Sequence, residues 1–246
     1  MSYQSNQFAD VSLPLFEAVP TVVSSEPVDE CQRLKEHFMN TGAEALPDYD
    51  ILTLILHRAV DDISVKALAV RLLSAFGDFN GVVSAPRSRL MEVDGVTLAV
   101  LQELKLVETA AHRLARAKIM NREVLSSWDA LLDYCQTRMA HQPTEQFRVL
   151  FLDRKNVLIA DEAQGAGTVD HVPVYPREVV KRALELNASA FILVHNHPSG
   201  DPTPSAEDIA MTKAIESAGD ILGIVLHDHL VIGKSAHVSM RADGLI

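Results

Sequence analysis

His195 and His197 leave the end of an apolar run, Ala190-Phe191-Ile192-Leu193-Val194, two residues apart. In extended backbone, positions i and i+2 point to one face, so two imidazoles there can reach a single ion. Pro198, Gly200, Pro202 and Pro204 stiffen the following turn. Asp208 then falls in the first turn of the next helical run, placed to swing back as a third ligand. Three protein ligands with one open position is the arrangement of a catalytic zinc rather than a structural one. Water in the open position would have its pKa lowered toward ~7 and become a nucleophile. Ser205-x-x-Asp208 is also close to a capping box, which accounts for the serine and the acid without a metal. Both readings can hold together, but the cap leaves the two histidines unexplained.

The elements that must position these residues can be read from periodicity. After Pro143 the pattern alternates β and α. Phe147 to Leu152 reads as a strand, Asp153-Arg154-Lys155-Asn156 as a hairpin turn, and Val157 to Ala160 as the return. Pro176 opens a helix lasting to about Asn187; Ala190 to Val194 is a buried strand, Ser205 to Ala218 a helix, and Ile224 to Ile232 another strand. The expected fold class is α/β, a mixed sheet with helices packed on it. Before Pro143 the pattern is helical. Asp48 to Arg58 carries Ile51, Leu52, Ile55 and Leu56 on one face, Ser64 reads as an N-cap, and a long helix runs from about Thr97 to Asn121. Ser126-Ser127-Trp128-Asp129 caps another helix, which reaches about Ala140. We therefore expect a tail over 1–28, a small all-α domain over 29–123 and the α/β domain over 124–246.

The pattern His195-x-His197 followed by Ser205-x-x-Asp208 resembles the signature of the JAMM, or MPN+, zinc metallopeptidases. The wording His195-Asn196-His197-Pro198-Ser199-Gly200 is similar to the bacterial RadC family within that group. The likeness extends from about Glu145 to Ile246, through Val174-Tyr175-Pro176-Arg177-Glu178 and Val225-Leu226-His227-Asp228-His229. The resemblance implies one zinc ion per chain on His195, His197 and Asp208, with Ser205 hydrogen-bonding the water or the developing oxyanion. It also places the family's general acid–base glutamate just before the first strand, where this chain has Glu145. Glu162, after the second strand, and Glu178, at a helix start, are the rivals on position alone.

Other histidines have cooler readings. His227 and His229 also sit two apart on a strand and could share a face, in supporting or substrate-groove roles. His171 could line the cleft or be solvated. Cys135 reads as a small core residue.

The helical region resembles the helix-hairpin-helix module that accompanies RadC domains, which holds DNA through backbone N–H groups of a glycine-rich turn. Val93-Asp94-Gly95-Val96 supplies the first glycine, but Thr97 stands where the second is expected and Leu101 replaces a small residue. Both crowd the place where phosphate would approach.

Charge separates the function classes further. The chain has 246 residues and a net charge of −11. That acid excess opposes tight non-specific DNA binding. Locally, Lys105, Arg113, Arg116, Lys118 and Arg122 face few acids, leaving weak DNA contact or a solvated helix face. No apolar run approaches a membrane span. The first residues lack a secretory signal, and two cysteines fit a reducing compartment, so a cytoplasmic location is expected.

The expected function is zinc-dependent hydrolysis of a peptide or isopeptide bond in a peptide or protein substrate. The alternative is a DNA-associated repair or recombination protein whose metal domain acts as nuclease or accessory. A metal-free scaffold is a third class, against which the intact ligand set argues.

Overall fold

The computed structural model describes residues 30–42, 46–60, 62–166 and 174–246. The expected tail at 1–28 and His171 lie outside these.

Among the described residues six helices come first: α1 (Glu30–Thr41), α2 (Asp48–Leu56), α3 (Asp62–Phe76), α4 (Phe79–Ser84), α5 (Arg87–Met91) and α6 (Leu98–Ile119). Their apolar faces bury Leu52, Leu56, Leu68, Leu72, Leu90, Val100 and Leu104 in one core. Asp78 caps α4 and Thr97 caps α6, each accepting from a backbone N–H three residues on. Thr97, read from sequence as a misfit in the hairpin, thus starts the long helix. Ser64 lies inside α3 rather than at its cap. Helix α6 links two cores, because Val100 and Leu104 belong to the first and Ile119 to the next. Backbone bridges Met120–Leu158 and Glu123–Val157 tie its end to the sheet.

A 3-10 turn at Leu125–Ser127 leads into α7 (Trp128–Met139). The expected serine cap is not made. Ser127 donates its hydroxyl to the Glu123 carbonyl instead, because the 3-10 turn folds it back on the preceding chain.

The sheet consists of β1 (Gln146–Leu152), β2 (Leu158–Ala166), β3 (Ala190–Asn196), β4 (Val225–Ile232) and β5 (His237–Ser239), in the order β2-β1-β3-β4-β5. Helix α8 (Pro176–Glu185) connects β2 to β3, and α9 (Ala206–Asp220) connects β3 to β4. Only β3 and β4 are parallel, so the architecture is mixed α/β. The hairpin turn forms as expected: Asp153 accepts from the N–H groups of Lys155 and Val157, and Asn156 takes φ 57°. The return strand runs well past Ala160, and β5 had no sequence signal because it is only three residues long.

Strand parity decides what each face carries. Phe147, Val149, Phe151, Phe191 and Leu193 pack under α8 and α9. Leu150, Leu152, Ile192 and Val194 pack under α7 with Leu131, Cys135 and Met139. His195, by the same alternation, stands on the α8/α9 side.

Candidate metal centre

β3 ends at the site. In its antiparallel register with β1, His195 lies opposite Phe147, and the two rings stack 6.1 Å apart. His195 is fully buried. His197 sits just past the strand. Its N–H donates to the Ile232 carbonyl (2.9 Å), and its Nδ1 donates to the Asp201 carbonyl (2.8 Å). The intervening turn closes through Gly200, at φ 96°, whose carbonyl packs so tightly on Gly233 that a Cβ there would lie 2.3 Å away.

Ser205 and Asp208 form a full capping box at the start of α9. Asp208 N–H donates to Ser205 Oγ (3.1 Å), while Ser205 N–H and its hydroxyl both donate to Asp208 Oδ2 (2.8 and 2.6 Å). Capping and metal ligation therefore do not compete. Oδ2 serves the cap, while Oδ1 stands 3.6 Å from His195 Nε2. His197 Nε2 is 3.0 Å from His195 Nε2 and 3.7 Å from Asp208 Oδ2. The Nε2–Nε2 and Nε2–Oδ1 separations are near the edge of about 3.3 Å expected for a tetrahedron with Zn–N distances of about 2.0–2.1 Å, and one donor atom from each of the three residues lies within 4.8 Å of the others.

The donor set fits a cation on a second ground. With His197 Nδ1–H committed to Asp201, its Nε2 lone pair faces that of His195 and a carboxylate. Such a cluster needs a proton or a metal at its centre. In the metal-free chain it draws a proton: Asp208 foremost raises the His197 pKa, against burial and with help from Asp201 and Glu145. Burial alone would raise the Asp208 pKa, but the two histidines beside it and the Ser205 hydroxyl hold it far below the carboxylate range.

Behind His195 runs a buried relay. His195 Nδ1 lies 2.7 Å from His229 Nε2, His229 Nδ1 lies 2.6 Å from Thr212 Oγ1, and Thr212 donates to the Asp208 carbonyl at 2.6 Å. Burial drives the His229 pKa well down, so this ring is neutral. The one consistent assignment of protons has His195 Nδ1–H donating to His229, whose Nδ1–H donates to Thr212. His195 Nε2 is thereby left as a lone pair aimed at the site, the role an outer partner plays for a metal-binding histidine.

Glu145 is the residue before β1. The register that pairs Phe147 with His195, continued two residues, sets Glu145 opposite His197 on the same face. Its charge helps raise the His197 pKa. Fully buried Asn196 pins this segment, accepting from Gln146 N–H (2.9 Å) and donating to the Thr144 carbonyl (3.2 Å). The rival acids are engaged elsewhere. Glu162 forms a two-point pair with Arg182 at 2.7 and 2.8 Å, which lowers its pKa, and Glu178 pairs with Arg177 at the surface.

His227 and His229 do not share a face. Phe191 pairs with Leu226 but Ile192 with Asp228, so His227 is the extra residue of a β-bulge. The bulge shifts the alternation: His229 turns to α9, while His227 turns to the hairpin and bonds Asn156 Oδ1 at 2.7 Å. Asn196 and Thr212 had not been singled out from sequence. Thr212 had one available signal, its position four residues after Asp208 on the same helix face. Cys135 is a core residue whose thiol pKa burial pushes up.

A mixed sheet with His-x-His at the end of a central strand, and an aspartate one turn into the next helix, is the frame of a RadC-like JAB domain. The family model of that description matches residues 125–245. A second model, the UPF0758 N-terminal region, matches residues 26–101. The chain belongs to the UPF0758 family. It is 68% identical over 213 residues to a UPF0758 protein of Rhodobacter capsulatus, covering 87% of this chain and 100% of that relative. A UPF0758 protein of Ruegeria pomeroyi is 65% identical over 218 residues, covering 89% of this chain and 97% of its own. Among the described residues, no helix is long and apolar enough to cross a membrane.

Proposed function

We propose that this chain is a zinc-dependent hydrolase of peptide or isopeptide bonds, with one ion held by His195, His197 and Asp208. The observation that carries the reading is the pair of facing Nε2 atoms, 3.0 Å apart beside a carboxylate, each with its Nδ1 anchored outward. When bound, zinc supplies Lewis acidity and lowers the pKa of water. Glu145 takes a proton from the attacking water and returns it to the leaving amine. Asn196 holds the Glu145 segment at the strand mouth, so that the carboxylate reaches the site without a search. Ser205 stabilises the developing oxyanion, for which its hydroxyl turns from Asp208 Oδ2 toward the cleft.

The test is turnover of a peptide and isopeptide library by wild type and Glu145→Gln. The variant should keep zinc and lose at least about 10²-fold in rate, the share typical of a general acid–base. Full turnover by Glu145→Gln would overturn the assignment.

A further inference from the structure

The basic run of α6 does not simply face solvent. Arg113 and Arg116 on α6 meet Arg138 of α7 and Arg148 of β1 around a cleft of about 330 Å³. Arg148 shares strand parity with Leu150 and Leu152, so the cleft lies on the α7 side of the sheet, opposite the histidine centre. Among the described residues Asp161 is the one acid lining it. That carboxylate is already engaged, accepting from Arg148 Nε at 2.8 Å and from the Tyr134 hydroxyl.

The remaining cationic capacity is unspent. The side chains of Arg113 and Arg116 make no ion pair or hydrogen bond among the described residues, and the terminal nitrogens of Arg148 donate to nothing there. Arg138 is aimed by His112: Arg138 Nη1 donates to His112 Nδ1 (2.9 Å), while His112 Nε2 donates to the Thr137 carbonyl (3.2 Å). Burial and then Arg138 lower the His112 pKa, so this ring orients the guanidinium without adding charge. Nearby Glu108 is paired with Lys105 at 2.9 Å. Four guanidiniums against one carboxylate therefore surround a single hollow in a chain whose net charge is −11.

Like charges gathered this closely repel unless an anion sits among them. Guanidinium forks match phosphate oxygens two by two. The geometry points to a binding site for a phosphate dianion, free or as a phosphomonoester, in the cleft between α6, α7 and β1. The arginines ring one hollow instead of tracking a stripe, and the acidic chain repels a polyanion; both favour a small phosphate over a nucleic-acid backbone. The ligand would clamp the end of the helical region to the sheet, because its contacts come from both.

Calorimetric titration of the full chain with inorganic phosphate and with ribose 5-phosphate, at ionic strength matched with chloride, tests this. Wild type and His197→Ala should bind alike, since the histidine centre is on the other face. The double variant Arg113→Ala/Arg116→Ala should bind at least about tenfold more weakly, as expected for lost charge-assisted bonds. Both arginines are exposed, so its Tm in chloride should match wild type. Tighter binding of ribose 5-phosphate identifies a phosphomonoester, and equal binding identifies free phosphate. Absence of binding at millimolar phosphate overturns the site. So does binding that is lost in His197→Ala and kept in the arginine variant, which would place the anion on the histidine centre. An oligonucleotide without terminal phosphates that binds tighter than either small ligand also overturns it, in favour of a nucleic-acid surface.

Discussion

His195 and His229 share a buried hydrogen bond of 2.7 Å, Nδ1 to Nε2, which fixes both the tautomer and the aim of His195. His229→Ala leaves the His195 Nδ1–H buried without an acceptor, a loss of about 1–3 kcal/mol in stability. Zinc affinity should fall about 10–100-fold, the usual effect of removing a ligand's outer partner. Thr212→Val, which breaks the relay one step further out, should have a smaller effect on both. Competition with a chromogenic chelator and thermal unfolding measure the two quantities.

On the proposed function, Asn196 acts through the segment that carries Glu145 rather than through the metal. Asn196→Leu removes the bonds to Gln146 N–H and the Thr144 carbonyl and frees Glu145 from its position opposite His197. The expected result is near-wild-type zinc content with turnover reduced by at least about tenfold, since a misplacement of about 1 Å is enough for larger losses. Zinc lost together with activity would mean that Asn196 merely supports the end of β3.

Protonation of His197 should oppose zinc. Its raised pKa means that binding near pH 6.5 must displace a proton. Titrations in buffers of different ionisation enthalpy should show proton release that declines as pH rises past that pKa. In the metal-free chain the linkage has the opposite use. A raised folded-state pKa stabilises fully below the unfolded value of about 6.5 and is lost as pH rises through the folded value. The Tm difference between wild type and His197→Gln should therefore be largest below about pH 6.5 and shrink as the pH rises above it. Taking a difference removes the opposing contribution of neutral His229, which is common to both proteins.

Arg148 and Asp161 form an ion pair whose side chains are 10% and 3% exposed. Asp161→Ala strands Arg148 and frees the Tyr134 hydroxyl from its acceptor. Breaking one side of such a pair costs about 3–5 kcal/mol. Replacing both partners, Arg148→Met with Asp161→Leu, should cost less than Asp161→Ala alone, as urea unfolding would show.

The cluster of His195, His197 and Asp208 was legible as a candidate metal site because strand parity and the capping spacing act locally. His195 and His197 share a face wherever the backbone is extended, and Asp208 follows its cap by three residues. What lay beyond reach depended on register between strands. The β-bulge at His227 separates two histidines that alternation alone would place together, and no local signal marks it. Asn196 looked like filler between two ligands, because its partners at Thr144 and Gln146 are brought near only by β1–β3 pairing. The convergence of Arg113, Arg116, Arg138 and Arg148 is likewise tertiary, since in sequence each arginine alone reads as an ordinary charge. At the other extreme, Thr97 stands where the hairpin motif has its second glycine, and its side chain caps the long helix that periodicity starts at the same place.

The central claim is that His195, His197 and Asp208 hold one catalytic zinc. Metal analysis of the purified chain beside His197→Ala tests it most directly. The account predicts about one zinc per wild-type chain and none in a folded variant. A wild-type chain that carries no metal and takes up no added zinc would contradict it, and would leave Asp208 as a helix cap alone.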